Sequence, residues 1–283
     1  MEKAYSIMYN VIKMFLSKIE NITEEAKMDI KDCTVDGYLE RIGYKGPLGN
    51  TYETLAGLQE AHLKSVPYEN LDVMYGRPLS LEIPDLYKKI VINKRGGYCF
   101  ELNALFRWLL LELGFTVTSY MARFLRDETG IPMRRHHILK VETDDGIPYL
   151  CDVGVGGNIP TWPIPFVLDV VFKQDNGSYR LKKDDFLGWV LEEIRHGQWS
   201  RLYSFTEEVQ LPIDFIMPSF WCEHSPDSIF RKQNMVSIRT PNGRVTVADK
   251  EFRIFTEEGV TTFVPATEEE FHSALKKYFG IVL

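Results

Sequence analysis

The sequence predicts an α+β fold, with helices first, an antiparallel sheet or barrel in the middle and a mixed α/β tail. Two observations carry this. Apolar residues recur with a helical period as far as Gly114 and with a period near two after it, and the alternating stretches are joined in pairs by Asp, Asn and Gly turns. A third is composition: 283 residues, 45% hydrophobic and 26% charged, are enough to bury one large core or several smaller ones.

The first element lies before the body of the fold. Ala4, Ile7, Met8, Val11, Ile12, Phe15, Leu16 and Ile19 recur at helical spacing, so residues 1–34 read as an extension built on an amphipathic helix packed on the body, or else on a membrane surface or partner. Its longest apolar run is Met14-Phe15-Leu16. That is short of a signal-peptide core of ~7–15 residues or a membrane span of ~20, and the expected location is the cytoplasm. A formal charge of −7 without a basic cluster argues against nucleic-acid or membrane-surface partners. Four cysteines (Cys33, Cys99, Cys151, Cys222) without a CxxC pair suggest neither a disulfide framework nor a zinc knuckle.

The helices follow in order. Tyr38, Leu39 and Ile42 form an apolar face closed by Gly43, and Leu55, Leu58, Ala61 and His62 form another that stops at Val66-Pro67. The clearest helix runs from Cys99 through Leu102, Leu105, Phe106, Leu109 and Leu113 to Gly114. Arg95-Gly96-Gly97 ahead of it permits a tight turn.

Strands begin after Gly114, where Val117, Ser119 and Met121 alternate with Thr118, Tyr120 and Ala122. Residues 136–143 and 149–153 flank Asp144-Asp145-Gly146, residues 167–172 and 178–181 flank Asp175-Asn176-Gly177, and residues 189–194 and 199–205 flank His196-Gly197. Three hairpins are expected. In the tail, residues 236–239 and 244–247 pair across Pro241-Asn242-Gly243, and Thr267-Glu268-Glu269-Glu270 is a capping box opening a last helix through Lys276.

Cys99 stands in the first turn of its helix, where unpaired N–H groups and the helix dipole favour an anion such as a thiolate. A buried inert cysteine would look the same. His136, His137 and Asp152 fall on the two sides of one hairpin, where strands sharing a face bring side chains within ~5 Å. One histidine could take the thiol proton while Asp152 fixes its tautomer. A hydrogen-bonded strand histidine, with Asp152 capping the turn at Gly154, is the bland alternative. The two histidines are adjacent on a strand and point to opposite faces, so they cannot share a metal.

The run Arg95-Gly96-Gly97-Tyr98-Cys99-Phe100-Glu101-Leu102-Asn103 resembles the nucleophile motif of the arylamine N-acetyltransferases. Tyr38 to Tyr44, Leu55 to His62, Val66-Pro67-Tyr68-Glu69-Asn70-Leu71-Asp72 and Asp152-Val153-Gly154-Val155-Gly156 extend the likeness, which is strong to about residue 165 and thins to positions such as Pro212 and Phe230. The resemblance implies a helical bundle over 35–115 with the nucleophile, a β-barrel over 116–225 with the histidine and aspartate, and an α/β lid over 226–283, on a core like that of the thiol proteases. It also implies acetyl transfer from acetyl-CoA to an arylamine or hydrazine by a ping-pong route through Cys99, with acetyl-CoA as co-substrate and no metal.

In that family the histidine begins a strand of the form His-x-apolar-Leu-x-Val. This places it at His136, because Leu139 and Val141 then take the apolar positions, whereas His137 would put Lys140 there. Val155 stands where the family has phenylalanine, and is expected to line the acceptor pocket. Pro132-Met133 stand where a small polar pair often meets the CoA phosphates. Two other functions are compatible with the same residues: a thiol hydrolase or amidase using the same triad, and a non-catalytic acyl-CoA or small-aromatic binding protein.

Overall fold

The computed structural model describes residues 28–283, so the helix expected within residues 1–34 lies almost wholly outside the described residues. From residue 35 the helical part is built as its caps dictate. Helix α1 (Val35–Ile42) starts at Thr34, whose hydroxyl accepts the Gly37 N–H, and α2 (Tyr52–Ser65) starts at Thr51, which accepts from Thr54. After a two-residue strand β1 (Tyr68–Glu69) come the short helices α3 (Leu71–Met74) and α4 (Ile83–Tyr87), and then α5 (Cys99–Glu112). Helix α5 is apolar on more than one side, because it is packed between the other helices and the barrel.

The strands β2 (Thr116–Phe124), β3 (His136–Glu142), β4 (Pro148–Cys151), β5 (Ile164–Pro165), β6 (Phe172–Gln174), β7 (Gly177–Asp184), β8 (Gly188–Arg195) and β9 (Gln198–Phe205) form one antiparallel sheet in the order β5-β4-β3-β2-β9-β8-β7-β6. It curls until Leu168, just past β5, bridges Leu181 of β7. One inner face merges with the helices into a single core that includes Leu55, Phe106, Leu139, Tyr179 and Phe205. The strand expected over 167–172 is a correction. Only Phe172–Gln174 is strand, because Val167, Leu168, Val170 and Val171 do not alternate between core and solvent and stay exposed.

Helix α6 (Ile216–His224) leads to a second sheet, β10 (Met235–Thr240), β11 (Gly243–Ala248), β12 (Glu251–Thr256) and β13 (Gly259–Phe263), closed by helix α7 (Glu268–Phe279). Strands β12 and β13 were not anticipated from the sequence. The sheet runs β1-β10-β11-β12-β13, so Tyr68-Glu69 of the helical part supplies its first strand. Its alternation is clean: Val245, Val247 and Phe252 pack under Phe271, Leu275 and Phe279 of α7, which leaves Arg244, Thr246, Arg253 and Phe255 on the opposite face. The capping box at Thr267 forms in modified form. Its hydroxyl accepts the Glu270 N–H, but the Glu270 carboxylate reaches one residue further back, to the Ala266 N–H.

Candidate active site

Cys99 is the first residue of α5, and its position is set by a clamp on the preceding segment. Glu69 donates its N–H to the Gly97 carbonyl at 2.8 Å, while its carboxylate accepts from Arg95 Nε at 2.8 Å, the Gly96 N–H at 3.3 Å and the Leu71 N–H at 2.8 Å. The two glycines were expected to supply a tight turn, yet neither takes a left-handed φ. Gly96 is needed for close approach instead, since a Cβ there would sit 1.8 Å from the Pro67 carbonyl oxygen. The Pro-Tyr-Glu-Asn-Leu-Asp and Arg-Gly-Gly segments, far apart in sequence, are thus the two halves of one fastening.

Behind the clamp lies a buried ion cluster. Arg95 Nη2 bonds Asp72 Oδ1 at 3.0 Å and Glu69 Oε1 at 2.7 Å, and Lys89 Nζ lies 2.7 Å from both Asp72 Oδ2 and Glu101 Oε1. Burial pushes the Glu101 carboxyl up, and Lys89 pulls it back. Asp72 is held below the usual carboxylate range by Lys89 and Arg95, which outweigh its burial. Glu101 also accepts the Tyr98 N–H at 3.1 Å, and the Tyr98 hydroxyl lies 2.6 Å from Ser219 Oγ on α6. The residue before Cys99 is therefore held at both its backbone and its side chain.

On the other side of Cys99 stands the hairpin of β3 and β4. Asp152 follows the end of β4, and in the β3–β4 register it shares a face with His136. His136 Nε2 lies 2.7 Å from Asp152 Oδ2, and both groups are buried. The second oxygen of Asp152 accepts from Asn103 Nδ2 at 2.9 Å and from the Gly154 N–H at 2.8 Å. Asp152 thus caps the turn and holds the histidine at once.

Burial alone would lower the His136 pKa. The Asp152 charge and hydrogen bond, with a hydrogen bond to the Cys99 sulfur, outweigh it and push the pKa up to about 10. His137 faces the other way. Its ring stacks on Phe215 at 3.9 Å and its Nε2 lies 3.0 Å from Ser119 Oγ, while burial and the His136 charge push its pKa down.

Close packing brings these parts together. A Cβ on Gly154 would stand 2.6 Å from Cys99 Cα, so the hairpin end and the helix start meet backbone to backbone. Asn103, one turn after Cys99, joins them: it donates to the His137 carbonyl at 2.8 Å and to Asp152, and accepts the Val153 N–H at 3.0 Å. In the sequence Asn103 is only the last residue of the run that begins at Arg95. Its place at i+4 from Cys99, on one face of the helix, was the available signal.

Cys99, His136 and Val155 line one cleft of about 860 Å³ between helices, barrel and second sheet. Tyr68, Phe124 and Phe230 add aromatic lining, and Arg126, Arg195, Arg244 and Arg253, scattered in the sequence with no local pattern, add charge. Among the described residues no helix is long and apolar enough to cross a membrane.

An N-acetyltransferase family model matches residues 51–283. The arylamine N-acetyltransferase of Escherichia coli (strain K12) is 38% identical over 209 residues, 73% of this chain and 73% of its own. The solved arylamine N-acetyltransferase of M. tuberculosis superposes with a TM-score of 0.82 at 31% identity, covering 88% of this chain and 94% of that one. That of Mycobacterium marinum in complex with CoA gives 0.81 at 30% identity, covering 88% and 93%.

Proposed function

This chain belongs to the arylamine N-acetyltransferase family, and we propose that it moves an acetyl group from acetyl-CoA to Cys99 and from there to an arylamine or arylhydrazine. The observation that supports this most is the shared Asp152 carboxylate. It holds His136 on one oxygen and the end of the β4 segment on the other, while the same hairpin end touches the Cys99 backbone.

With Nε2 committed to Asp152, Nδ1 is the ring nitrogen left to take the thiol proton. The Cys99 sulfur attacks the thioester carbonyl at the N-terminus of α5, where the helix dipole favours the developing negative charge. The carbon–sulfur bond to CoA breaks as the new one forms, and His136 returns its proton to the departing CoA thiolate. In the second half, the amine nitrogen attacks the acetyl carbon, His136 removes the amine proton, and Cys99 leaves. Asp152 keeps the tautomer and balances the imidazolium throughout. Val155 forms part of the acceptor wall beside Tyr68, Phe124 and Phe230. The extension 1–34, helical part 35–115, barrel 116–225 and lid 226–283 are the corresponding divisions of the chain.

Intact mass after acetyl-CoA alone, and again after adding an amine, tests the route. One acetyl group should appear, map to Cys99, and leave as N-acetylated amine. Loss of the acetyl group to water at the same rate with and without amine would instead identify a thiol hydrolase, and no acetylation at all would leave a binding protein.

A further inference from the structure

The cleft carries four arginines on its lining besides Arg135, and all but one have their charge matched. Arg126 donates to both carboxylate oxygens of Glu193, at 2.7 and 3.0 Å, and to the Asn158 carbonyl. Arg195 pairs with Asp127 at 2.9 Å, Arg253 with Glu251 at 2.8 Å, and Arg135 lies 3.7 Å from Glu128. Arg244 is the exception. Its guanidinium lies over the Phe255 ring at 4.2 Å, and among the described residues it meets neither a carboxylate nor a hydrogen-bond acceptor.

The sheet keeps Arg244 on the cleft side. Its neighbour Val245 packs under α7, and the register that pairs Arg244 with Phe255 and Thr246 with Arg253 places this row on the face that lines the cleft. Partial burial and the nearby positive charge of Arg126 press the Arg244 pKa down, and Glu193, which is bonded to Arg126, offsets this only in part. A half-buried cation that bonds no anion, beside an Arg126–Glu193 pair whose charges cancel, is a site that a phosphate oxyanion would complete.

We propose that Arg244, flanked by Arg126, binds a phosphate group of CoA and so selects the phosphorylated acetyl donor. The inference rests on the reading of this cleft as the acetyl-CoA site and adds to it the residue that grips the charged end. A guanidinium offers two parallel N–H donors to phosphate oxygens, and an arylamine brings no anion that would need them. The pyrophosphate and the 3′-phosphate share this chemistry.

The experiment reads only the first half-reaction, so the acceptor does not enter. Single-turnover acetylation of Cys99 is measured in wild type, Arg244→Gln and Arg244→Lys, with acetyl-CoA, acetyl-dephospho-CoA and S-acetylpantetheine, which has the same thioester arm and no phosphate. The wild type should prefer acetyl-CoA to S-acetylpantetheine. That preference should shrink by roughly 10- to 100-fold in Arg244→Gln and recover in part in Arg244→Lys, the loss expected when a charged hydrogen-bond partner is removed. Acetyl-dephospho-CoA behaving like acetyl-CoA assigns the contact to the pyrophosphate, and behaving like S-acetylpantetheine assigns it to the 3′-phosphate. Either upholds the proposal. An Arg244→Gln variant slowed equally with all donors would overturn it while leaving the function intact. If wild-type Cys99 accepted acetyl from no donor, the function itself would fall and the phosphate contact with it.

Discussion

Two buried polar clusters flank the first turn of α5, and they are built on opposite principles. On one side Glu69, Asp72 and Glu101 are matched by Lys89 and Arg95, with Arg77 reaching Asp72 at 3.5 Å, so every charge is answered and most are answered twice. On the other side His136 and Asp152 are equally buried, but the Cys99 sulfur beside them meets only the His136 ring and one long contact to a backbone carbonyl, Arg135 O, at 3.8 Å. The saturated cluster fixes where the helix begins. The unsaturated one leaves the Cys99 sulfur facing His136 with no ion pair to hold it. Burial of charge is therefore no mark of function by itself; an unfilled valence within a rigid frame is the better sign.

The largest expected effect strikes the unsaturated side. Cys99→Ala should remove acetylation of the protein and cut kcat/KM for acetyl transfer by at least about 10⁴-fold, since no other group can carry the acetyl. Appreciable transfer by that variant, followed by product formation, would show that the contrast between the clusters was misread. His136→Ala should fall nearly as far, whereas His137→Ala should act mainly on stability, because its ring lies against Phe215 and Ser119. The reverse ranking would move the site by one residue.

Asp152→Asn comes next, with a loss of about 10³- to 10⁴-fold in kcat/KM and a retained fold by circular dichroism, because an amide cannot balance the imidazolium. A rate near wild type would reduce Asp152 to a capping residue. On the saturated side the order of effects should invert. Arg95→Met leaves Glu69 without its buried partner and Asp72 with one fewer, and should cost roughly 3–5 kcal/mol of stability in denaturant unfolding, while the folded fraction keeps a Cys99 that alkylates. Equal loss of reactivity and stability would mean that the clamp and the nucleophile are one unit.

A pH series separates the clusters further. A histidine raised to about 10 binds its proton more tightly in the folded than in the unfolded chain. Its stabilising contribution is complete below the unfolded value of about 6.5 and is lost as pH climbs through about 10. The stability gap between wild type and Asp152→Asn should thus be widest just below about pH 6.5, shrink through neutral pH and close near pH 10. A gap that widened with rising pH would contradict the His136–Asp152 pairing. The smallest effect belongs to the acceptor wall. Val155→Phe should change the preference between a small planar arylamine and a bulky one by a few fold, as expected of an aromatic contact worth roughly 0.5–1.5 kcal/mol, and should alter the amine step more than acetylation of Cys99. An unmoved preference would remove Val155 from the acceptor pocket.

Much of the frame was legible in the sequence because its signals are local. Gly43 closes α1 and Thr267 caps α7, the Asp144-Asp145-Gly146 and His196-Gly197 turns join strands that do pair, and the apolar face from Leu102 to Leu109 is buried as its period requires. Cys99 at a helix start, and two histidines on opposite faces, also follow from local geometry alone. The exposed Val167–Val171 stretch and the unanticipated β12 and β13 mark the limit, since hydrophobicity without a partner strand does not distinguish a sheet from a loop.

What only the tertiary structure decided is which groups meet. Strand alternation separates His136 from His137, but the packing of β3 on α5 determines which of them faces Cys99. No local pattern shows that Gly96 must clear the Pro67 carbonyl, that Asn103 binds Asp152, or that Arg244 alone among the cleft arginines lacks a counter-charge. Periodicity and turn chemistry act over a few residues, whereas hydrogen bonds and charge pairs between residues 23 to 49 positions apart, such as Arg95 with Asp72 and Asn103 with Asp152, exist only once the chain has closed on itself.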